Sequence, residues 1–143
     1  MVQAKKNSFQ SILIFGDLFT LTLVTVVGFA THGEATSAGL RMLTTWIPLI
    51  VAWAMIAPFF GVYDPQLTQD FSQLWRPFWA MVVAGPMAGW LRSVILGLIN
   101  HNGLSTPILP IFVVVLGGFA ALSILLWRVI AVSILMRMSR AHE

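Results

Sequence analysis

Cysteine is missing from this chain altogether, and acidic residues are scarce, five aspartates and glutamates in 143 positions. The first absence excludes disulfides, thiolate metal sites and a cysteine nucleophile. The second, with charged residues at only 9% and hydrophobic ones at 58%, excludes a soluble domain with a charged surface. Catalytic signatures are absent too: there is no G-x-S-x-G, no H-E-x-x-H, no G-x-x-x-x-G-K-S/T and no pair of carboxylates at helical spacing. These gaps weigh against an enzyme, and little sequence is left over for a nucleic-acid-binding module. With no internal repeat and no low-complexity tract, the chain reads as a single domain, 1–143.

What is there is apolar sequence in four long runs, at about Ile12–Thr31, Thr45–Tyr63, Phe78–Ile99 and Ile108–Met136. About twenty apolar residues in a helix cross the roughly 30 Å of hydrocarbon in a bilayer, so each run is long enough to span one. The expected fold class is therefore all-α, an integral membrane bundle of four transmembrane helices. Lys5 and Lys6 before the first run resemble the start of a secretory signal. That run is too long for a signal core, carries Asp17 and lacks a clean cleavage site, and reads as a retained signal-anchor helix.

Basic residues set the expected orientation. Lys5, Lys6, Arg76, Arg137 and Arg140 fall on one side of the four runs and only Arg41 on the other, which places both termini in the cytoplasm. The net charge of +3 then has lipid headgroups as its partner. Trp46, Trp75, Trp79 and Trp127 lie near run ends, where interfacial anchors belong. In the second loop Leu67, Phe71, Leu74 and Trp75 recur at helical spacing opposite Asp70, Gln73 and Arg76. That spacing predicts a short amphipathic interfacial helix, with an ordinary turn as the alternative.

Small residues mark the expected packing face. Gly85, Gly89, Ser93 and Gly97 follow one another at four-residue intervals on the third run, and Gly117, Gly118 and Ala121 answer on the fourth. Such faces let helix backbones approach closely where lipid supplies no hydrophobic drive. An intramolecular seam between the two helices is the plain expectation and a homodimer seam the sharper one. Pro58 and Pro86 are expected to loosen the second and third helices.

Four ionisable residues stand out, because a charge inside the hydrocarbon costs about 2.5–3.5 kcal/mol on insertion scales and needs a partner, a cavity or a route to the interface. Asp17 and Arg128 lie at matching depths on the first and fourth runs. They either pair, or Arg128 snorkels to headgroups and leaves Asp17 to threonine hydroxyls. Arg92 lies toward the other leaflet, near His32 and Glu34, in a second polar layer or reaching to the interface. Gly28, four residues before His32, leaves room for a flat macrocycle over the helix, as in (bacterio)chlorophyll- and haem-ligating helices. His32 is thus a candidate pigment ligand beside the plainer reading of an interfacial histidine. His101 sits in a helix-stop turn, Asn100-His101-Asn102-Gly103.

Taken together, Gly16-Asp17, Gly28-x-x-x-His32-Gly33, Ala84-Gly85-Pro86 with Gly89-x-Leu91-Arg92, and Leu126-Trp127-Arg128 resemble the domain-of-unknown-function 3054 family over almost the whole chain. The resemblance implies a small four-helix protein of the plasma (inner) membrane of a prokaryote, bacterial or archaeal, and brings no activity with it. Where such proteins often carry basic residues after the glycine of the first helix, this chain has Phe29 and Ala30.

The functional expectation is a non-enzymatic membrane protein that acts through helix packing, as a small subunit of a larger membrane complex or as a homo-oligomer. Its expected partners are lipids, other membrane subunits or itself, with no nucleic acid, no metal and no required cofactor. One alternative is a small transporter or channel with a polar path through Asp17/Arg128 and His32/Arg92. The other is a binder of a pigment (chlorophyll or haem) or a quinone through His32.

Overall fold

The computed structural model describes residues 2–31, 39–64, 67, 70–101, 107 and 109–140. They form four helices, α1 (Val2–Thr31), α2 (Gly39–Ile56), α3 (Trp75–Ile99) and α4 (Pro110–Arg140), and there is no strand among them. All four are long and apolar enough to cross a membrane. Each of α1 and α3 packs against both α2 and α4, giving a four-cornered, up-and-down bundle. Phe9 and Leu13 near the start of α1 cluster with Ala131 near the end of α4, so the start of α1 and the end of α4 lie at one end of the bundle. We call this the termini end.

The bundle is apolar outside as well as inside. Phe15, Phe19, Leu40, Phe59, Trp90, Val114, Leu122 and Leu126 are all exposed, an outer skin suited to acyl chains and not to water. The interior is narrow and rich in alanine: Ala52, Ala57, Ala80, Ala84, Ala88, Ala120 and Ala121 surround Leu21, Leu49, Trp53, Met81 and Ile124. Small interior residues bring the helix axes close, so that dispersion can replace the missing hydrophobic drive.

The α3/α4 seam brings two helix backbones close together. A Cβ added to Gly85 would lie 2.8 Å from the Cα of Gly117, and one added to Gly89 would lie 2.6 Å from Cγ2 of Val113. The small-residue face of α3 is therefore used within one chain. Gly97 is buried and Ser93 half-buried further along α3. Gly118 departs from the expectation. It is exposed with open space beyond it, because neighbouring helix positions point about 100° apart and Gly117 already takes the seam. Gly16, by contrast, is a packing glycine that spacing gives no reason to suspect: the Trp127 ring lies directly on it and overlaps the place of a Cβ.

Several boundaries also shift. α2 begins at Gly39, six residues before the apolar run, and ends at Ile56 instead of continuing to Tyr63. Pro58 sits in a 3-10 turn, Ala57–Phe60, which closes on Gly61 at φ 63°, a left-handed conformation that glycine adopts without strain. Pro58 thus ends a helix, and the proline inside α2 is the buried Pro48. Pro86 does lie inside α3. In the second loop the described residues show a 3-10 turn, Phe71–Gln73, capped by Asp70, before α3 starts at Trp75. The Ser72 N–H and hydroxyl both donate to the Asp70 carboxylate and hold it below its ordinary pKa. The rest of the expected amphipathic segment, apart from Leu67, lies outside the described residues. α4 opens on Pro110, whose missing N–H costs nothing in a first helical turn.

Candidate functional site

Two polar sites lie inside the bundle, one near each end. The site toward the termini end is built on Asp17 and Arg128, both almost completely buried. Nε of Arg128 donates to Oδ1 of Asp17 at 3.1 Å and Nη2 donates to Oδ2 at 2.6 Å. This two-pronged contact matches the flat guanidinium to the flat carboxylate. Nη1 donates to the Val62 carbonyl at 3.1 Å. Snorkelling is thereby replaced by pairing: the Arg128 side chain turns inward, not toward headgroups.

The reversal after α2 completes the site. Gly61 turns the chain back, with the Val62 N–H donating to the Ala57 carbonyl at 3.2 Å, and so aims the Val62 carbonyl at Arg128 and the Tyr63 ring at Asp17. The Tyr63 hydroxyl donates to Oδ2 of Asp17 at 2.9 Å and accepts from Nε1 of Trp53 at 2.9 Å. A phenol beside a buried carboxylate keeps its proton, so the hydroxyl stays a donor. The Arg128 guanidinium also lies 5.4 Å from the centre of the Tyr63 ring. Gln10 from α1 donates to the Tyr63 carbonyl at 2.9 Å, and Arg76 from α3 to the Phe60 carbonyl at 3.0 Å. Every helix thus contributes a polar contact to this turn or to the ion pair. The carboxylate is fully buried and receives three hydrogen bonds, which is the chemistry of a clasp.

The second site is open. A cleft of about 690 Å³ lies among the helices toward the opposite end. Its walls include Val24, Thr25, Val27 and Gly28 of α1, Arg41 and Thr45 of α2, Arg92 of α3, and Phe112, Val115 and Phe119 of α4. The Arg92 guanidinium lies over the Phe112 ring, 4.6 Å from its centre. Its Nε is enclosed and has no hydrogen-bond acceptor among the described residues. Arg41, on the same cleft, is near enough for its charge to act on Arg92. The Thr25 and Thr45 hydroxyls donate back to carbonyls of their own helices, Leu21 at 2.9 Å and Arg41 at 3.2 Å.

Of the four ionisable residues that stand out in the sequence, the structure joins Asp17 to Arg128 and sets Arg92 apart on the cleft. His32, with Glu34, lies outside the described residues. Among the described residues no cluster of three His, Cys, Asp or Glu side chains offers a metal site. His101 is exposed, at φ 54°, just past the end of α3. Sequence reasoning misses Trp53, Tyr63 and Arg41. One signal does exist, since a chain with ten phenylalanines and a single tyrosine has a reason to keep that hydroxyl.

Comparison with known proteins agrees with this picture at the level of family. No curated protein and no solved structure matches the chain. One family model does, that of the protein of unknown function DUF3054, over residues 14–131, a stretch that contains Asp17, Tyr63 and Arg128 and the residues that line the cleft. The chain belongs to the DUF3054 family.

Proposed function

We propose that this protein is a non-enzymatic, multi-pass membrane protein that works by binding a membrane-resident molecule in the cleft between α1 and the other three helices. The observation that carries the reading is the cleft itself: about 690 Å³ of space, mostly apolar in its lining, entered by one arginine whose Nε has no hydrogen-bond acceptor among the described residues. Binding sites have this form, with apolar walls and a few convergent polar groups. Asp17, the carboxylate an intramembrane reaction would draw on, is held by Arg128 and Tyr63 and is not presented to a substrate. A continuous polar path would have to break that clasp at every passage. Assembly through the small-residue face is also disfavoured, since Gly85, Gly89 and Gly117 are consumed inside one chain.

Because the chain has no cysteine, Gly28→Cys gives a unique reporter inside the cleft and Gly118→Cys one on the outer surface. In detergent, returning a lipid extract of the native membrane should slow maleimide labelling at position 28 severalfold and leave position 118 unchanged. Equal rates with and without extract at position 28 would remove the reading.

The orientation we propose puts the termini end in the cytoplasm, on the excess of lysine and arginine there. Reporters fused to either terminus should work only in their cytoplasmic form, and an active periplasmic reporter at either end would reverse the topology.

A further inference from the structure

Where the cleft meets the outer face of the bundle between α1 and α4, its chemistry differs from that of its floor. Val27 of α1 and Val115 and Phe119 of α4 line it and are 37%, 61% and 49% exposed, so its mouth meets the outer apolar skin. Deeper in, the polar groups are not neutral. Arg92 lies seven residues from the end of α3, roughly 10 Å along the axis at 1.5 Å per residue. A guanidinium at that depth needs an anion or water, and what the described residues give it is the face of Phe112 and the repulsion of Arg41. The threonine hydroxyls commit their protons to their own helices, which leaves Arg92 as the donor for an anion.

We propose that the occupant is an anionic phospholipid, its headgroup phosphate held by Arg92 and its acyl chain leaving between Val27, Val115 and Phe119. This rests on the binding reading above and adds the ligand class. Both halves of the ligand are required by the lining. A free phosphate would satisfy the arginine and leave the apolar walls unfilled, while a neutral hydrocarbon would leave the Arg92 charge unanswered. Arginine suits the headgroup because its planar fork matches two phosphate oxygens at once.

The test uses the full chain, delipidated in a neutral detergent, titrated with phosphatidylglycerol, phosphatidylcholine or inorganic phosphate, and read by native mass spectrometry and thermal melting. Phosphatidylglycerol should bind at least about tenfold more tightly than phosphatidylcholine, with Arg92→Gln removing that preference. Gly28→Phe is the second variant: Gly28 lines the cleft and a Cβ there meets nothing within 4 Å, so the ring has the cleft to enter. It should abolish lipid binding while the lipid-free melting temperature stays that of the parent. Equal affinity for the two lipids, with Gly28→Phe still blocking both, would overturn the anionic class and leave a cleft that binds lipid. Phosphatidylglycerol binding undiminished in Gly28→Phe would place the lipid elsewhere and overturn the site. Inorganic phosphate displacing the lipid completely at millimolar concentration would overturn the phospholipid assignment in favour of a free anion.

Discussion

Asp17→Ala should cost about 3–5 kcal/mol of stability, and Arg128→Met a similar amount, because each leaves the other charge buried without its partner. Both side chains are sealed from solvent, and the pair is closed by two contacts of 2.6 and 3.1 Å. Neither survivor has an aqueous exit at that depth. The double variant Asp17→Leu/Arg128→Met should recover most of the loss, since two apolar side chains need no compensation. A double-mutant cycle on reversible unfolding in detergent measures the coupling directly. Strictly additive effects would mean that the pair does not interact. Tyr63→Phe belongs to the same network and should cost about 1–3 kcal/mol, as it removes one donor to Asp17 and the acceptor of the Trp53 N–H. A loss at Tyr63 with no change at Asp17 would make the tyrosine a packing residue alone.

The ion pair is legible in the sequence because depth is a one-dimensional quantity. Counting residues from the run ends places Asp17 and Arg128 at one level, and an intramembrane charge needs a partner. The rest of the clasp depends on three-dimensional detail that counting does not carry. Tyr63 reaches Asp17 only because Gly61 takes a left-handed conformation and turns the chain back into the bundle, and hydropathy instead runs the second span straight on to residue 63. The same averaging hides Arg41. An arginine lowers local hydropathy, so the span reads as beginning after it, yet α2 begins at Gly39 and carries Arg41 onto the cleft. The contact of Trp127 on Gly16 joins helices at opposite ends of the chain and has no local signature. Both sites have that character: the charged residue announces itself, and the groups that give it a purpose come from other helices.

The α3/α4 seam supplies the second large effect and separates close packing from mere glycine content. Gly85→Leu should destabilise the bundle by about 1–3 kcal/mol or more, because a Cβ at position 85 lies 2.8 Å from the Gly117 Cα and only backbone movement can relieve it. Side chains can rotate away from an intruder, but a backbone atom in a 31-residue helix moves only with its helix. That movement would part α3 from α4 over the length that also holds Gly89 against Val113. Gly118→Leu is the matched control, the same substitution one residue further along α4 from Gly117, pointing into open space. Its melting temperature should stay within a degree or two of the parent, since exposed substitutions usually change stability by about 0.5 kcal/mol or less. Equal losses at positions 85 and 118 would mean that glycine is needed at both for some reason other than the seam. A stable Gly85→Leu variant would turn that face of α3 toward lipid, and the cleft, whose walls are set by the same helices, would have to be redrawn with it.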